Sequence, residues 1–281
     1  MRIRVVRILF CLVAVIAGGA TASASQSARS AALGGAGHAG PLFTEALDLN
    51  PSYLSLMNSY ALSAQYLLPA TNPGSHGGAS TYAAMASSYQ LPVQFGAEYS
   101  RSDDGAVTRL AFAREILGQF SFGVGTLFYT PLNASMLPRP EFTLSATGII
   151  NSWMRAALVL DNSLGSLTSH GFQRVLTLGT RVSLDSIFAL YLDPHWTLSG
   201  LETGQERMGY ELGLEVPFFE YYFLRAGTFK NAKVPLSAAA GNGFGGGVGI
   251  FFPMISLDYS FSKTVQPLSY SYHNVSLTLQ F

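Results

Sequence analysis

The sequence is poor in charge, since Asp, Glu, Lys and Arg together make up 11% of its 281 residues. Soluble domains carry about 25% of these residues, so the composition argues against an ordinary water-soluble globular domain. Beyond the N-terminal stretch there is also no apolar run as long as a transmembrane helix, which needs about 20 residues. The chain has no basic stripe or basic tail either, which argues against a nucleic-acid partner.

Cysteine is nearly absent, and the single copy, Cys11, lies in a stretch with the features of a secretory signal peptide. Three arginines within the first seven residues precede an apolar run over 8–16, and small residues follow up to Ala24. An uncleaved anchor would need a longer apolar run, so we predict cleavage after Ala24. The mature chain would then contain no cysteine, and its charge would be 13 basic (16 minus 3) against 16 acidic residues, or −3.

The last ten residues carry the clearest pattern. Val275, Leu277, Leu279 and Phe281 alternate with polar residues, which is the period of a β-strand with one apolar face. A soluble sheet that ended on such a strand would leave an open edge, whereas in a barrel the last strand pairs with the first. The terminal Phe281 also resembles the insertion signal that the barrel-assembly machinery of the Gram-negative outer membrane recognises.

Similar segments of about ten residues, the length of a tilted transmembrane strand, recur from residue 60 onward. They predict an all-β fold, a transmembrane antiparallel β-barrel of about 14 strands over residues 60–281. A soluble β-sandwich shares the periodicity but needs neither so little charge nor an alternation of short turns and long loops. The predicted strands are 60–68, 80–89, 93–100, 107–115, 119–129, 141–150, 154–161, 173–184, 187–192, 207–216, 219–228, 243–252, 255–262 and 272–281. The predicted long loops are 69–79, 101–106, 130–140, 162–172, 193–206, 229–242 and 263–271.

Parity along these strands assigns the charged residues to the inside, because a charge on the lipid face costs about 2–4 kcal/mol at the membrane midplane. These side chains are either ion pairs that hold the wall together or a polar constriction that filters solutes, and the sequence leaves both open. The predicted lumen-facing residues are Glu98, Arg109, Arg155, Arg181, Glu211, Glu215, Arg225 and Asp258.

Residues 25–59, between the signal peptide 1–24 and the barrel, do not show strand periodicity. This segment is small and flexible over 31–40, and an Asn-Pro step precedes the first strand. It is either a plug that folds back into the barrel or a loose periplasmic leader. Glycines of the strand 243–252 would let another backbone approach the wall closely.

Here the chain resembles a known family. The run LGGAGHAG at 33–40, followed by Asp48 and the Asn50-Pro51 step, looks like the N-terminal hatch of FadL-type outer-membrane transporters. The last third looks closer to the PorV/PorQ-like branch of that superfamily. The matching pieces there are 224–227, 243–252, 255–259 and His273.

The resemblance implies a 14-stranded barrel whose N-terminal hatch, with His38, Asp48, Asn50 and Pro51, blocks the lumen. The function it implies is passage of hydrophobic or small solutes past this plug. The alternative is a non-transporting PorV-like accessory or scaffold barrel of a surface secretion or envelope machine. The expected partners are outer-membrane lipid and lipopolysaccharide, the barrel-assembly machinery during insertion, and either a hydrophobic ligand or an envelope protein.

An outer-membrane enzyme is the rival class. The candidate groups are Asp103-Asp104, His76, His170, His273 and Asp193-Pro194-His195. The last of these is the best candidate, because a carboxylate beside an imidazole orients it for proton transfer, but an Asp-Pro step in a loop is also ordinary turn chemistry. Neither a serine-centred elbow nor a spaced set of metal ligands accompanies it. We therefore predict no catalytic residue, no metal site and no cofactor.

Overall fold

The computed structural model describes residues 26–71, 78–88, 90–102, 105–131, 139–167, 172–184, 187–199, 206–234, 240–267 and 269–281. The predicted signal peptide lies outside the described residues. Strands of 8 to 13 residues make up most of the described chain. In chain order they are β1 (Tyr60–Thr71), β2 (Ala79–Ala86), β3 (Gln94–Ser102), β4 (Gly105–Ile116), β5 (Phe120–Pro131), β6 (Arg139–Ile149), β7 (Met154–Asp161), β8 (Arg174–Leu184), β9 (Phe188–Ser199), β10 (Met208–Phe218), β11 (Tyr222–Lys233), β12 (Ala240–Phe252), β13 (Ile255–Gln266) and β14 (Tyr270–Gln280).

These strands form one closed antiparallel barrel in which each strand pairs with its neighbours in the chain. The ring closes between β1 and β14, where Ala61 pairs with Gln280 and Leu67 with Asn274. The amide of Phe281 donates to the carbonyl of Tyr60 at 2.9 Å, which extends this ladder to the last residue. The predicted fold class, the strand order and the pairing of the last strand with the first are therefore confirmed.

The outer face of the barrel is apolar, and the inner face carries the polar side chains. On β5, for example, Phe122 is 54% exposed on the outside, while its neighbour Ser121 is fully buried inside. Successive side chains of a strand point to opposite faces, so the period of two in the sequence becomes two chemically different surfaces. An apolar band around a closed barrel is the surface that lipid covers. Exposed aromatic residues at the short-turn end, such as Trp153 and Phe219, fit the membrane interface.

Six of the seven predicted long loops are shorter than the sequence pattern indicated, because the strands continue into them. Only residues 103–104 separate β3 from β4, and residues 267–269 separate β13 from β14. β9 continues to Ser199, so the predicted loop 193–206 was wrong in its first seven residues. Pro194 looked like a turn signal, but the β8–β9 ladder omits it, between the pairs Thr177–His195 and Thr180–Leu192. A proline is accepted there because no ladder hydrogen bond from its nitrogen is lost.

Residues 26–59, called the inner segment below, contain four short helical pieces. Two are α-helical, α1 (Ala28–Ala32) and α2 (Ala46–Leu49), and two are 3₁₀ turns at Phe43–Glu45 and Pro51–Leu56. Ser27 caps α1, and Asn50 caps the second 3₁₀ turn with its side chain.

Across the part of the chain that the structure describes, no helix is both long and apolar enough to cross a membrane.

Candidate functional site

The inner segment lies inside the barrel, with its backbone directly against glycines of the wall. A Cβ atom added to Gly245 on β12 would lie 2.0 Å from the carbonyl oxygen of Ala31. On β11, a Cβ at Gly227 would lie 2.1 Å from the carbonyl carbon of Leu33. Side chains at these inner-face positions would therefore displace the segment. Gly246 points the other way, and an added Cβ there would have ordinary space.

Arg29 is the main charged anchor of the inner segment, and its side chain is only 2% exposed. Its Nη1 lies 2.9 Å from Glu45 of the same segment, and its Nε lies 2.9 Å from Glu215 on β10. Its Nη2 also donates to the hydroxyl of Tyr191 on β9 at 2.6 Å. A buried cation requires such complete pairing, so α1 is held to the wall by charge as well as by packing.

Glu215 connects this anchor to a second cation on the wall. Arg225 on β11 places its Nε 2.7 Å from Glu215 and its Nη1 2.5 Å from Asp258 on β13. The Glu215 carboxylate is thus shared by Arg29 and Arg225. The sequence placed Glu215, Arg225 and Asp258 in the lumen but missed Arg29. A lone arginine in a run of small residues was the signal for it.

Asp193 on β9 holds the next turn of the inner segment. Its carboxylate accepts hydrogen bonds from the backbone amides of Gly37 and His38 at 2.7 and 2.9 Å, and Nδ1 of His38 lies 2.8 Å away. The amide of Thr180 on β8 donates to its other oxygen at 3.3 Å. The sequence placed Asp193 in an external loop, which was wrong. It is fully buried and satisfied by the inner segment.

The same contact governs the ionisation of His38. Burial by itself lowers the pKa of this imidazole, but its hydrogen bond to Asp193 and the charge of that carboxylate raise the pKa to about 9. His38 is therefore a cation at neutral pH, and it forms a buried ion pair between the inner segment and β9.

Asn50 and Pro51 form a buried corner. The amide of Asn50 donates to the carbonyl of His38 at 2.7 Å and to the hydroxyl of Thr147 on β6 at 2.8 Å. Its carbonyl oxygen accepts from the hydroxyl of Ser52 at 2.6 Å. A Cβ added to Gly125 would lie 3.1 Å from the Pro51 ring. The Asn-Pro step therefore turns the chain against the β5–β6 wall.

Asp48 forms a further ion pair across the lumen. Its Oδ1 lies 2.9 Å from Nη2 of Arg109 on β4, and Nη1 of Arg109 pairs with Glu98 on β3. The sequence placed Glu98 and Arg109 on adjacent strands, and the structure brings them into direct contact.

The remaining predicted lumen residues also lie on the inner face. Arg155 donates to the hydroxyl of Tyr53 in the inner segment. Arg181 lies over the ring of Tyr191, 5.8 Å from its centroid. Glu211 pairs with His195, whose Nδ1 lies 3.1 Å from the Glu211 carboxylate.

The other candidate catalytic groups lie elsewhere. His273 on β14 contacts the hydroxyl of Tyr259 through Nδ1 at 2.6 Å. Tyr259 is exposed on the apolar outer face. His76, His170, Asp103 and Asp104 lie outside the described residues. Within the described ranges no group of three His, Cys, Asp or Glu side chains is arranged to hold a metal ion.

Phe281 follows β14 at the end of the barrel where the short turns lie, and its side chain is 64% exposed. Its role as an insertion signal stays a prediction.

A cavity of about 140 Å³ lies between the inner segment and the long-loop end of the barrel. Its floor includes His38, Asp48 and Leu49 of the inner segment. Its wall comes from the halves of β4–β11 and β14 that lie nearer the long loops. We call it the outer cavity, and its wall includes Arg109, Leu127, Thr143, Asp161, Val175, Glu211, His195, Phe229 and Lys233, with Phe172 from the β7–β8 connection.

A smaller cavity of about 40 Å³, the inner cavity, lies on the other side of the same segment. Arg29, Glu45, Glu98 and Asp258 are among its lining residues, so it is strongly polar. Asp48 and Leu49 line both cavities. The α2 helix therefore forms part of the partition between them.

The comparisons with known proteins show a fold rather than a sequence family. No family model matches the chain, and no curated protein shows significant sequence similarity to it. Solved structures do match over nearly the full length. The Ralstonia pickettii toluene transporter TbuX has a TM-score of 0.62 at 13% identity, with 92% of this chain and 98% of that chain covered.

Two further structures give the same result. A Pseudomonas aeruginosa FadL homologue has a TM-score of 0.61 at 12% identity, with 94% of this chain and 99% of that chain covered. The Pseudomonas putida toluene transporter TodX has a TM-score of 0.58 at 10% identity, with 94% and 99% covered. The chain thus has the fold of FadL-type barrels, as the N-terminal resemblance predicted. The PorV-like resemblance finds no counterpart among these structures.

Proposed function

We propose that this protein is an outer-membrane barrel that passes small solutes past the inner segment, which acts as a plug. The observation that carries the proposal is the pair of cavities on opposite sides of that segment, which share Asp48 and Leu49. A solute that reaches the outer cavity is separated from the inner cavity by this short element, rather than by a second complete layer of protein. A local movement of α2 would join the two cavities.

The attachment of the inner segment supports a movable plug in place of an immovable core. Its polar contacts to the wall are hydrogen bonds and ion pairs, such as those of Arg29, His38 and Asp48. Water that enters the lumen as the segment moves would solvate the separated charges and so offset part of the cost of breaking these contacts. Its apolar contacts are spread along its length, in three separate clusters with the wall that include Ala31, Leu33 with Ala36, and Leu47 with Leu54. The proposed movement is therefore local, at α2, where Asp48 and Leu49 separate the two cavities.

The cavity linings bear on the class of solute. The names of TbuX and TodX describe toluene transporters, and a hydrocarbon is one candidate. However, both cavities are lined by charged side chains, and a purely apolar solute would remove those charges from water without replacing their hydrogen bonds. We therefore favour small solutes with polar groups over hydrocarbons.

Swelling of proteoliposomes tests the plug. Vesicles with the mature chain should swell slowly in an isosmotic solution of a small solute, and deletion of residues 26–50 should accelerate swelling. An unchanged rate with a correctly folded deletion variant would contradict a plugged channel. Folding is checked by the different electrophoretic mobility of heated and unheated barrel. If the deletion variant does not fold, the full-length double variant Arg29→Gln/Asp193→Asn takes its place. Vesicles with this variant should also swell faster than vesicles with the wild type.

The alternative, an accessory or scaffold barrel, is favoured by one observation. Much of the lumen is filled by buried ion pairs, and the inner cavity measures only about 40 Å³. Copurification of stoichiometric protein partners from native outer membranes, together with vesicles that stay impermeable after the deletion, would support this function over transport.

A further inference from the structure

We propose that the outer cavity binds a small zwitterionic solute, with the solute's carboxylate at Lys233 and its ammonium group at Asp161. This inference rests on the proposed function, because it names the class of solute that enters the barrel. It is carried by two charged side chains of opposite sign that line one cavity and form no ion pair with each other or with any described residue.

Lys233 is the last residue of β11, and its side chain, exposed at the long-loop end of the strand, lines the cavity. Its ammonium lies over the ring of Phe172, 5.3 Å from the ring centroid. No carboxylate lies within ion-pair distance of it among the residues that the structure describes, although Asp48 and Asp161 attract it electrostatically from farther away. A lysine ammonium has three donors, and the aromatic face satisfies none of them as a hydrogen-bond acceptor would. The ammonium of Lys233 is thus free of a competing carboxylate and available to an anionic acceptor.

Asp161 ends β7 and lines the same cavity. Its Oδ1 accepts a hydrogen bond from the hydroxyl of Thr143 on β6 at 2.8 Å. No Lys, Arg or His in the described ranges lies within 4.0 Å of its carboxylate. An ionised carboxylate accepts about four hydrogen bonds, so it retains capacity for a cationic donor.

The other charges of the cavity wall are already neutralised by partners. Asp48 pairs with Arg109 at 2.9 Å, and Glu211 pairs with His195 at 3.1 Å. Asp161 and Lys233 therefore give the cavity one available charge of each sign. A simple anion would be attracted by Lys233 and repelled by Asp161. A simple cation would be attracted by Asp161 and repelled by Lys233. A zwitterion satisfies both, through charge-assisted hydrogen bonds that are stronger than neutral ones.

The size of the cavity and its apolar lining indicate which zwitterionic solutes fit. Its volume of about 140 Å³ is close to that of a dry cavity of roughly 150 Å³ that holds benzene. Leu127, Val175 and Phe229 also line it. A free amino acid with a small aliphatic side chain has the required size, the two charges and an apolar group, so L-valine is a suitable probe.

Calorimetric titration of the detergent-solubilised mature chain tests the two contacts separately. The probes are L-valine, 3-methylbutanoate, which lacks the ammonium, and 2-methylpropylamine, which lacks the carboxylate. Lys233→Gln should weaken the binding of L-valine and of 3-methylbutanoate by about tenfold or more. It should leave the binding of 2-methylpropylamine unchanged. Asp161→Asn should weaken the binding of L-valine and of 2-methylpropylamine to a similar extent. It should leave the binding of 3-methylbutanoate unchanged.

The chain offers matched controls on the same part of the barrel. Lys230 is three residues from Lys233 on β11, and it pairs with Glu206 at 2.7 Å in an exposed position. Lys230→Gln and Glu206→Gln make the same changes in charge outside the cavity and should leave all three affinities unchanged. Heated and unheated electrophoresis checks that each variant retains the folded barrel.

The proposal is overturned if the wild-type chain does not bind L-valine, or if it does so equally well in Lys233→Gln and Asp161→Asn. It is also overturned if toluene binds in the cavity and L-valine does not displace it. Failure of the proposed function gives a different result, since vesicle swelling would then be absent while the binding pattern above persists. A channel without this site would instead show swelling but no selective loss of binding.

Discussion

The carboxylate of Asp193 on β9 and the imidazole of His38 in the inner segment form a buried ion pair, with Nδ1 of His38 2.8 Å from Oδ2 of Asp193. The same oxygen accepts the backbone amides of Gly37 and His38. One wall residue thus fixes both a side chain and a turn of the backbone.

Asp193→Asn should destabilise the folded barrel by about 3–5 kcal/mol, because it leaves the cation of His38 buried without its partner. The amide group of asparagine would also place a donor against at least one backbone amide, because each carboxylate oxygen of Asp193 accepts from one or two of them. Urea unfolding in detergent micelles measures the change. Glu206→Gln, which removes an exposed carboxylate, should change the free energy of unfolding by less than about 1 kcal/mol. Equal effects of the two variants would contradict the role of Asp193.

The ion pair also predicts a dependence of stability on pH. The pKa of His38 is raised from its ordinary 6.5 to about 9 in the folded chain. Its contribution to stability is therefore fully present below about pH 6.5 and is lost as the pH rises through about 9. The difference in unfolding free energy between wild type and His38→Gln should shrink between pH 7 and pH 10. A difference that stays constant over this range would show that His38 does not titrate as inferred.

Glycines on the inner face of β12 should tolerate no side chain where the inner segment touches them. Gly245→Ala would bring its Cβ to 2.0 Å from the Ala31 carbonyl, and overpacking of this kind costs about 1–3 kcal/mol. Gly246→Ala is the matched control, since its Cβ would meet a single backbone atom at 3.8 Å. Thermal unfolding of the two variants should separate them, and equal melting temperatures would place the inner segment away from β12.

A reversible cross-link tests whether the inner segment must move for solutes to pass. The hydroxyls of Thr44 in the inner segment and Ser63 on β1 are 2.7 Å apart, so cysteines at both positions are close enough for a disulfide. The double variant Thr44→Cys/Ser63→Cys should slow vesicle swelling when oxidised and should recover on reduction. The two single variants serve as controls. Swelling that is indifferent to oxidation of the cross-linked protein would rule out movement of this part of the segment.

The strands were predictable because their information is local. The alternation of Val275, Leu277 and Leu279 with polar neighbours defines a strand and both of its faces without any knowledge of its partners. Fourteen such segments with an even count imply closure. The strand boundaries were predicted wrongly where local signals conflict. Pro194 favours a turn, but β9 continues through it because the ladder between β8 and β9 is interrupted at that residue. The inward position of Asp193 could not be read from a pattern that ended the strand one residue earlier.

The interior was less predictable, because its contacts join residues far apart in the sequence. Arg29 and Glu215 are 186 residues apart, and neither carries a signal for the other. Composition and periodicity by themselves determined the barrel, its apolar outer face and the small-residue segment before it. Each of these features depends on residues that are neighbours in the sequence and on the solvent that they face. Only the tertiary structure decided that this segment lies within the lumen, which carboxylates hold it, and that Asp161 and Lys233 share a cavity, because those distances exist only after the sheet has closed.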